Sequence, residues 1–179
     1  MNFSSSLVKI AVFGLATAQA EEFGIVWLHG AGIAPEAYQT IAEAVQDRAV
    51  ERDQKVFFSI PDFELDLAAP FIDASIVADA FDQLKEAGFT GDKVILAGHN
   101  AGALAAQQYI STDSSLVYAS IMMGATLDHS VYSIVEDGTS SVTYPVPTLT
   151  LGGDKDGVNR ITHTSVAFWH QVKNIEQSG

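Results

Sequence analysis

The sequence predicts a single α/β domain, a mostly parallel sheet with helices on both faces. Five short apolar runs alternate with segments of helical periodicity, the order expected of strand–helix–strand units. The runs are largely apolar along their length rather than alternating, as in strands buried on both sides. Three of them end in glycine-bearing loops, at residues 29–34, 98–102 and 152–157. Right-handed crossovers gather such loops on one sheet edge, where open α/β sheets bind ligands.

The first strand is Gly24 to Leu28, ending at His29-Gly30-Ala31-Gly32. Pro35 starts a helix to about Val50, with Tyr38, Ile41, Val45 and Ala49 on its apolar face. Lys55 to Ile60 is the second strand, stopped by Pro61. The next helix, Ala74 to Ala87, presents Ile76, Val77, Ala80, Phe81 and Leu84, and Gly88 follows as a C-cap. Lys93 to Ala97 is the third strand and Ala101 to Ile110 its helix. Leu116 to Met123 and Thr148 to Leu151 are the fourth and fifth strands. Ser130 to Tyr144 reads as a hairpin or surface loop. A last helix is expected from about Val158 to Lys173, with Ile161, Ser165, Phe168 and Val172 facing inward.

Residues 1–20 read as a signal peptide: one lysine, an apolar stretch from Ile10 to Ala16, then Ala18-Gln19-Ala20 as a small-x-small cleavage site. The expectation is a secreted domain over residues 21–179. The apolar stretch is shorter than the roughly 20 residues a membrane span needs. With 22 Asp+Glu against 9 Lys+Arg, the formal charge is −13. Such a chain repels phosphate backbones, so nucleic acid is not an expected partner. The chain has no cysteine, which excludes disulfides, thiolate metal sites and a cysteine nucleophile. Neither a His-rich metal pattern nor a nucleotide-binding glycine motif is present, so no metal and no cofactor is implied.

The segment Val94 to Ala105 carries the chemistry. A β-branched run enters Gly98-His99-Asn100-Ala101-Gly102, and a helix of small residues leaves it. This is the frame of a nucleophile elbow, Gly-x-Ser-x-Gly, with asparagine at the centre. Together with His29-Gly30-Ala31-Gly32 and the Leu149 to Gly157 loop, in that order, the segment resembles the α/β-hydrolases of the cap-poor esterase and lipase type. The resemblance covers about residues 24–175. It implies an oxyanion hole formed by the backbone N–H groups of Ala31 and Ala101. It also implies a triad acid at Asp156, with Asp154 the alternative. By the same resemblance His29 braces its loop, together with Gly30 and Gly32. Loop scaffolding is the plainer reading of both His29 and His99. Gly98 and Gly102 let strand and helix pack closely. On its own, Gly-Gly-Asp-Lys-Asp-Gly would be an ordinary polar turn.

Two parts of that machinery depart from the pattern. A carboxamide nitrogen is delocalised into its carbonyl and is a poor nucleophile, although asparagine tolerates the strained backbone of an elbow apex. The family's histidine follows a further strand after the acid. Here only His163 and His170 follow Asp156, inside the expected last helix, so the triad histidine is unassigned. The chain ends where that strand would begin. The domain is therefore expected to lack its last strand, to be C-terminally incomplete, and to leave Thr148–Leu151 as an open edge.

The reading is a carboxylic-ester-hydrolase type of protein, inactive as written. Acyl esters are the expected class, because Phe63, Leu65, Leu67 and Phe71 follow the second strand and either line an apolar pocket there or cover the core. The alternative is a non-catalytic protein that binds a small ester, an apolar ligand or a partner. A third reading is a lineage with an aspartate nucleophile, resembling epoxide hydrolases and dehalogenases. Ala101 favours the serine lineage over that one, because the aspartate families often carry an aromatic there.

Overall fold

The computed structural model describes residues 20–63, 73–127, 144–156 and 159–165. The expected signal peptide (apart from Ala20), the loop at 130–143, Leu65, Leu67, Phe71, Phe168, His170 and Val172 lie outside them. Five strands form one all-parallel sheet: β1 Glu21–Leu28, β2 Gln54–Ser59, β3 Val94–His99, β4 Ala119–Met123 and β5 Thr148–Leu151, in the order β2-β1-β3-β4-β5. Three helices alternate with them: α1 Gln39–Val50, entered through a 3-10 turn Pro35–Tyr38, α2 Ala74–Glu86 and α3 Ala101–Thr112. A further helical turn begins at Ile161.

The strand period divides the core into two layers. Val26, Leu28, Leu96 and Met122 point to the face covered by α2 and α3, where they meet Val77, Ala80, Phe81, Leu84, Ala103 and Ile110. Ile25, Trp27 and Ala97 point to the other face, with Tyr38 and Ile41 against them. Helices on both faces explain why the strands carry almost no polar alternation.

Local reading and structure differ most in the following places. β1 starts three residues earlier than the apolar run, because Glu21 pairs with Lys93 and Glu22 with Lys55 and the Thr90 backbone N–H. β4 starts later, since the Asp113 side chain accepts the Ser115 N–H and makes residues 113–117 a turn. Val45 is exposed, and Ala42 takes the inner position on α1. Ile161 and Ser165 are exposed rather than inward. Gly88 ends α2 at φ 98°, as a C-cap glycine does. Among the described residues β5 is one edge of the sheet and β2 the other, and Leu149 and Leu151 of β5 are exposed. No helix among them is long and apolar enough to cross a membrane.

Candidate active site

β3 turns into α3 within one residue. Asn100 occupies the apex at φ 51° and ψ −116°, a region L-residues visit rarely. Its N–H donates to Met123 O at 2.8 Å, and its own O accepts the N–H groups of Ala103 at 3.0 Å and Leu104 at 3.3 Å. The flanking glycines are steric requirements. A Cβ on Gly98 would lie 2.5 Å from Ala103 N, and one on Gly102 2.3 Å from Leu28 O. The Asn100 carboxamide neither caps α3 nor bonds to any other described residue.

The loop after β1 packs directly on this turn. A Cβ on Gly30 would sit 3.0 Å from His99 Nδ1 and 3.3 Å from His99 O. Ala31 follows in the Gly30–Ile33 turn, closed by the Ile33 N–H to Gly30 O at 3.1 Å. Ala101 heads α3, so its N–H has no helix carbonyl to bond. Both expected oxyanion donors therefore lie on the two loops that meet here.

His29 is buried and braced. Its Nδ1 lies 3.1 Å from Gly30 O, its Nε2 accepts the Phe63 N–H at 3.4 Å, and its ring lies 4.3 Å from that of Phe63. His99 has a fuller role than its sequence reading. Tyr38 Oη accepts the Gly30 N–H at 2.8 Å and shares a hydrogen bond with His99 Nδ1 at 2.9 Å. Burial raises the Tyr38 pKa although the Gly30 N–H opposes it.

Asp156 arrives on the loop after β5, its Oδ1 accepting the Asn159 N–H at 2.8 Å. A Cβ on Gly124, which sits at φ 61°, would be 3.4 Å from both Asp156 Oδ2 and His99 Nε2. Glycine at the end of β4 thus lets the acid loop and the elbow histidine face each other. Asp154 is exposed, so Asp156 is the carboxylate the fold brings to the elbow. His163 is exposed on the turn beginning at Ile161, its N–H donating to Arg160 O. Sequence reasoning missed Tyr38 and Gly124 as site residues. Tyr38 was legible only as part of an apolar helix face, and Gly124 carried no signal beyond following a strand.

No family model and no curated protein sequence matches the chain. Solved structures do. The esterase PE8 aligns over 86% of this chain and 79% of its own, at 20% identity and TM-score 0.56. Arabidopsis thaliana SOBER1 aligns over 85% and 83%, at 17% identity and TM-score 0.55. A YdeN-like hydrolase from Pectobacterium atrosepticum aligns over 84% and 74%, at 18% identity and TM-score 0.50. The chain has the α/β-hydrolase fold.

In this α/β-hydrolase fold the brace around Gly30 can be tested directly. Tyr38→Phe leaves the buried Gly30 N–H and His99 Nδ1 without their shared partner, at a cost of about 2 kcal/mol. Thermal unfolding followed by circular dichroism should show Tm lower by roughly 5 °C. An unchanged Tm would mean the Tyr38 hydroxyl does not hold the loop. Beside that loop lies a concavity of about 480 Å³, lined by His29, Gly32, Ile33 and Phe63, with Glu36 and Asp62 among its polar groups. Among the described residues no group of three metal-ligating side chains comes together.

Proposed function

We propose that the chain carries a site of carboxylic-ester-hydrolase type that does not turn over esters. One observation carries the reading: a carboxamide, that of Asn100, stands at the strained apex where this kind of site needs an alkoxide. The surroundings support an ester-type site. Ala101 N–H opens α3, and the Ala31 turn is packed beside it, an arrangement suited to a carbonyl oxygen. Asp156 and His99 are adjacent, but the Nδ1 of that histidine is engaged by Tyr38, and no hydroxyl nucleophile stands at the apex to be activated.

Short-chain nitrophenyl esters and a fluorophosphonate probe test this. The expected result is no hydrolysis above the buffer rate and no covalent labelling. Turnover or labelling that disappears on Asn100→Ala would overturn it. A second reading, ligand binding without chemistry, is favoured by the concavity beside His29 and Phe63. Its signature is saturable calorimetric binding of a short carboxylic ester by protein that leaves the ester intact.

A further inference from the structure

Asparagine at this apex has a chemistry that serine lacks. For an L-residue, Cβ lies a third of a turn from N about the Cα–C bond. A ψ of −116° therefore leaves the Asn100 Cβ and the Ala101 nitrogen almost eclipsed. That is the arrangement in which Ala101 N can close a five-membered ring on the side-chain carbonyl carbon of Asn100, once side-chain rotation brings that carbon over the nitrogen. The carboxamide has no hydrogen bond to a described residue that would resist the turn.

We propose that Asn100 is a self-modification site, at which the fold converts the asparagine into an aspartate at the elbow apex. Ala101 N–H first gives up a proton to solvent hydroxide. The charge left behind delocalises onto Asn100 O, which already accepts the Ala103 and Leu104 N–H groups at 3.0 and 3.3 Å. These donors, at the positive end of α3, stabilise the anion before it reacts. The Ala101 nitrogen then bonds to Cγ, the Cγ–NH2 bond breaks, and the nitrogen leaves as ammonia with a proton from water. The product is a cyclic imide. One water adds to its side-chain carbonyl and the ring nitrogen departs, restoring the Asn100–Ala101 peptide link and leaving a carboxylate. The balance is one water consumed and one ammonia released.

The packing also selects the product. Opening the ring at the backbone carbonyl would insert an extra carbon into the main chain at the apex. That longer main chain would have to fit where β3 and α3 are held so close that a Cβ on Gly98 or Gly102 would meet backbone at 2.5 and 2.3 Å. Ring opening to the normal peptide link is favoured. An unfolded chain has neither the fixed ψ nor this selection, and must reach a sparsely populated backbone state first.

The test incubates the full chain at mildly alkaline pH, either native or unfolded in urea, and follows Asn100 by peptide mapping. Mass reports the amide-to-acid exchange, and chromatography separates aspartate from isoaspartate. Asn100 should convert about tenfold faster in the native protein than in the unfolded one, and mainly to aspartate. A native rate equal to or below the unfolded rate overturns the proposal, as does a mainly isoaspartyl native product. Asn100→Gln, whose ring would need one more atom, should hold its amide over the same period with its circular dichroism unchanged. Comparable loss of that amide would overturn the ring-closure route.

Discussion

Gly102→Ala is expected to lower Tm by roughly 10 °C or more, the largest effect expected of a methyl addition at any described glycine. The added Cβ would lie 2.3 Å from Leu28 O and 2.4 Å from His29 O, where real Cβ atoms stay beyond about 3 Å. Both obstacles are backbone at the end of β1, so no side-chain rotation relieves the overlap. Relief requires α3 to lift from β1, opening the layer where Ala103, Ala105 and Ala106 are fully buried. Overpacking of this kind costs about 3 kcal/mol or more. Gly32→Ala is the matched control. Its φ is 70°, but an added Cβ meets nothing within 4 Å, so the cost is only the left-handed conformation, about 1 kcal/mol. Thermal melts of the two variants should differ severalfold in ΔTm. Near-equal shifts would mean that α3 is not pinned to the end of β1 as described.

The same glycines show what could be read from the sequence. Gly98 and Gly102 flank a strand-to-helix change in hydrophobic period, and that local pattern was enough to predict an elbow. The order of strands and helices was legible because each strand is an uninterrupted apolar run, which follows from helices covering both faces. Boundaries set by charge were not legible. Glu21 and Glu22 precede the apolar run that marks the strand, yet their partners Lys93, Lys55 and Thr90 extend β1 to include them. Nor were contacts between distant segments. Tyr38 and His99 are 61 residues apart, and nothing in either neighbourhood announces a hydrogen bond between them. Within the acid loop, composition left Asp154 and Asp156 as alternatives; proximity to His99 across Gly124 distinguishes them, and that depends on β4 lying between β3 and β5.

A second large effect is expected above pH 10 and comes from Tyr144 rather than from the elbow. Tyr144, just before β5, lies near Ser120, but its hydroxyl makes no well-formed hydrogen bond. The Ser120 and Thr148 hydroxyls are 2.7 Å apart, and Thr148 donates to Val146 O at 3.1 Å, so they satisfy one another instead. Burial pushes the Tyr144 phenol well above its usual value. In the unfolded chain the phenol ionises near pH 10. Above that pH the unfolded state has lost a proton that the native state keeps. The contribution of Tyr144 is thus fully present below about pH 10 and falls as pH rises toward the native pKa, by up to about 1.4 kcal/mol per pH unit. Tyr144→Phe removes both the orphaned hydroxyl and the titration. Urea midpoints for that variant should match the parent at neutral pH to within about 0.5 kcal/mol, because no good hydrogen bond is lost. Between about pH 10 and pH 12 the variant should lose less stability than the parent. Tyr38 and Tyr109 are raised by burial as well, so the slope should shrink rather than vanish. If parent and variant lost stability in parallel through that window, Tyr144 would have to ionise in the native state as readily as in the unfolded chain. Burial of its ring against the α2–α3 layer would then not be the source of the alkaline limit.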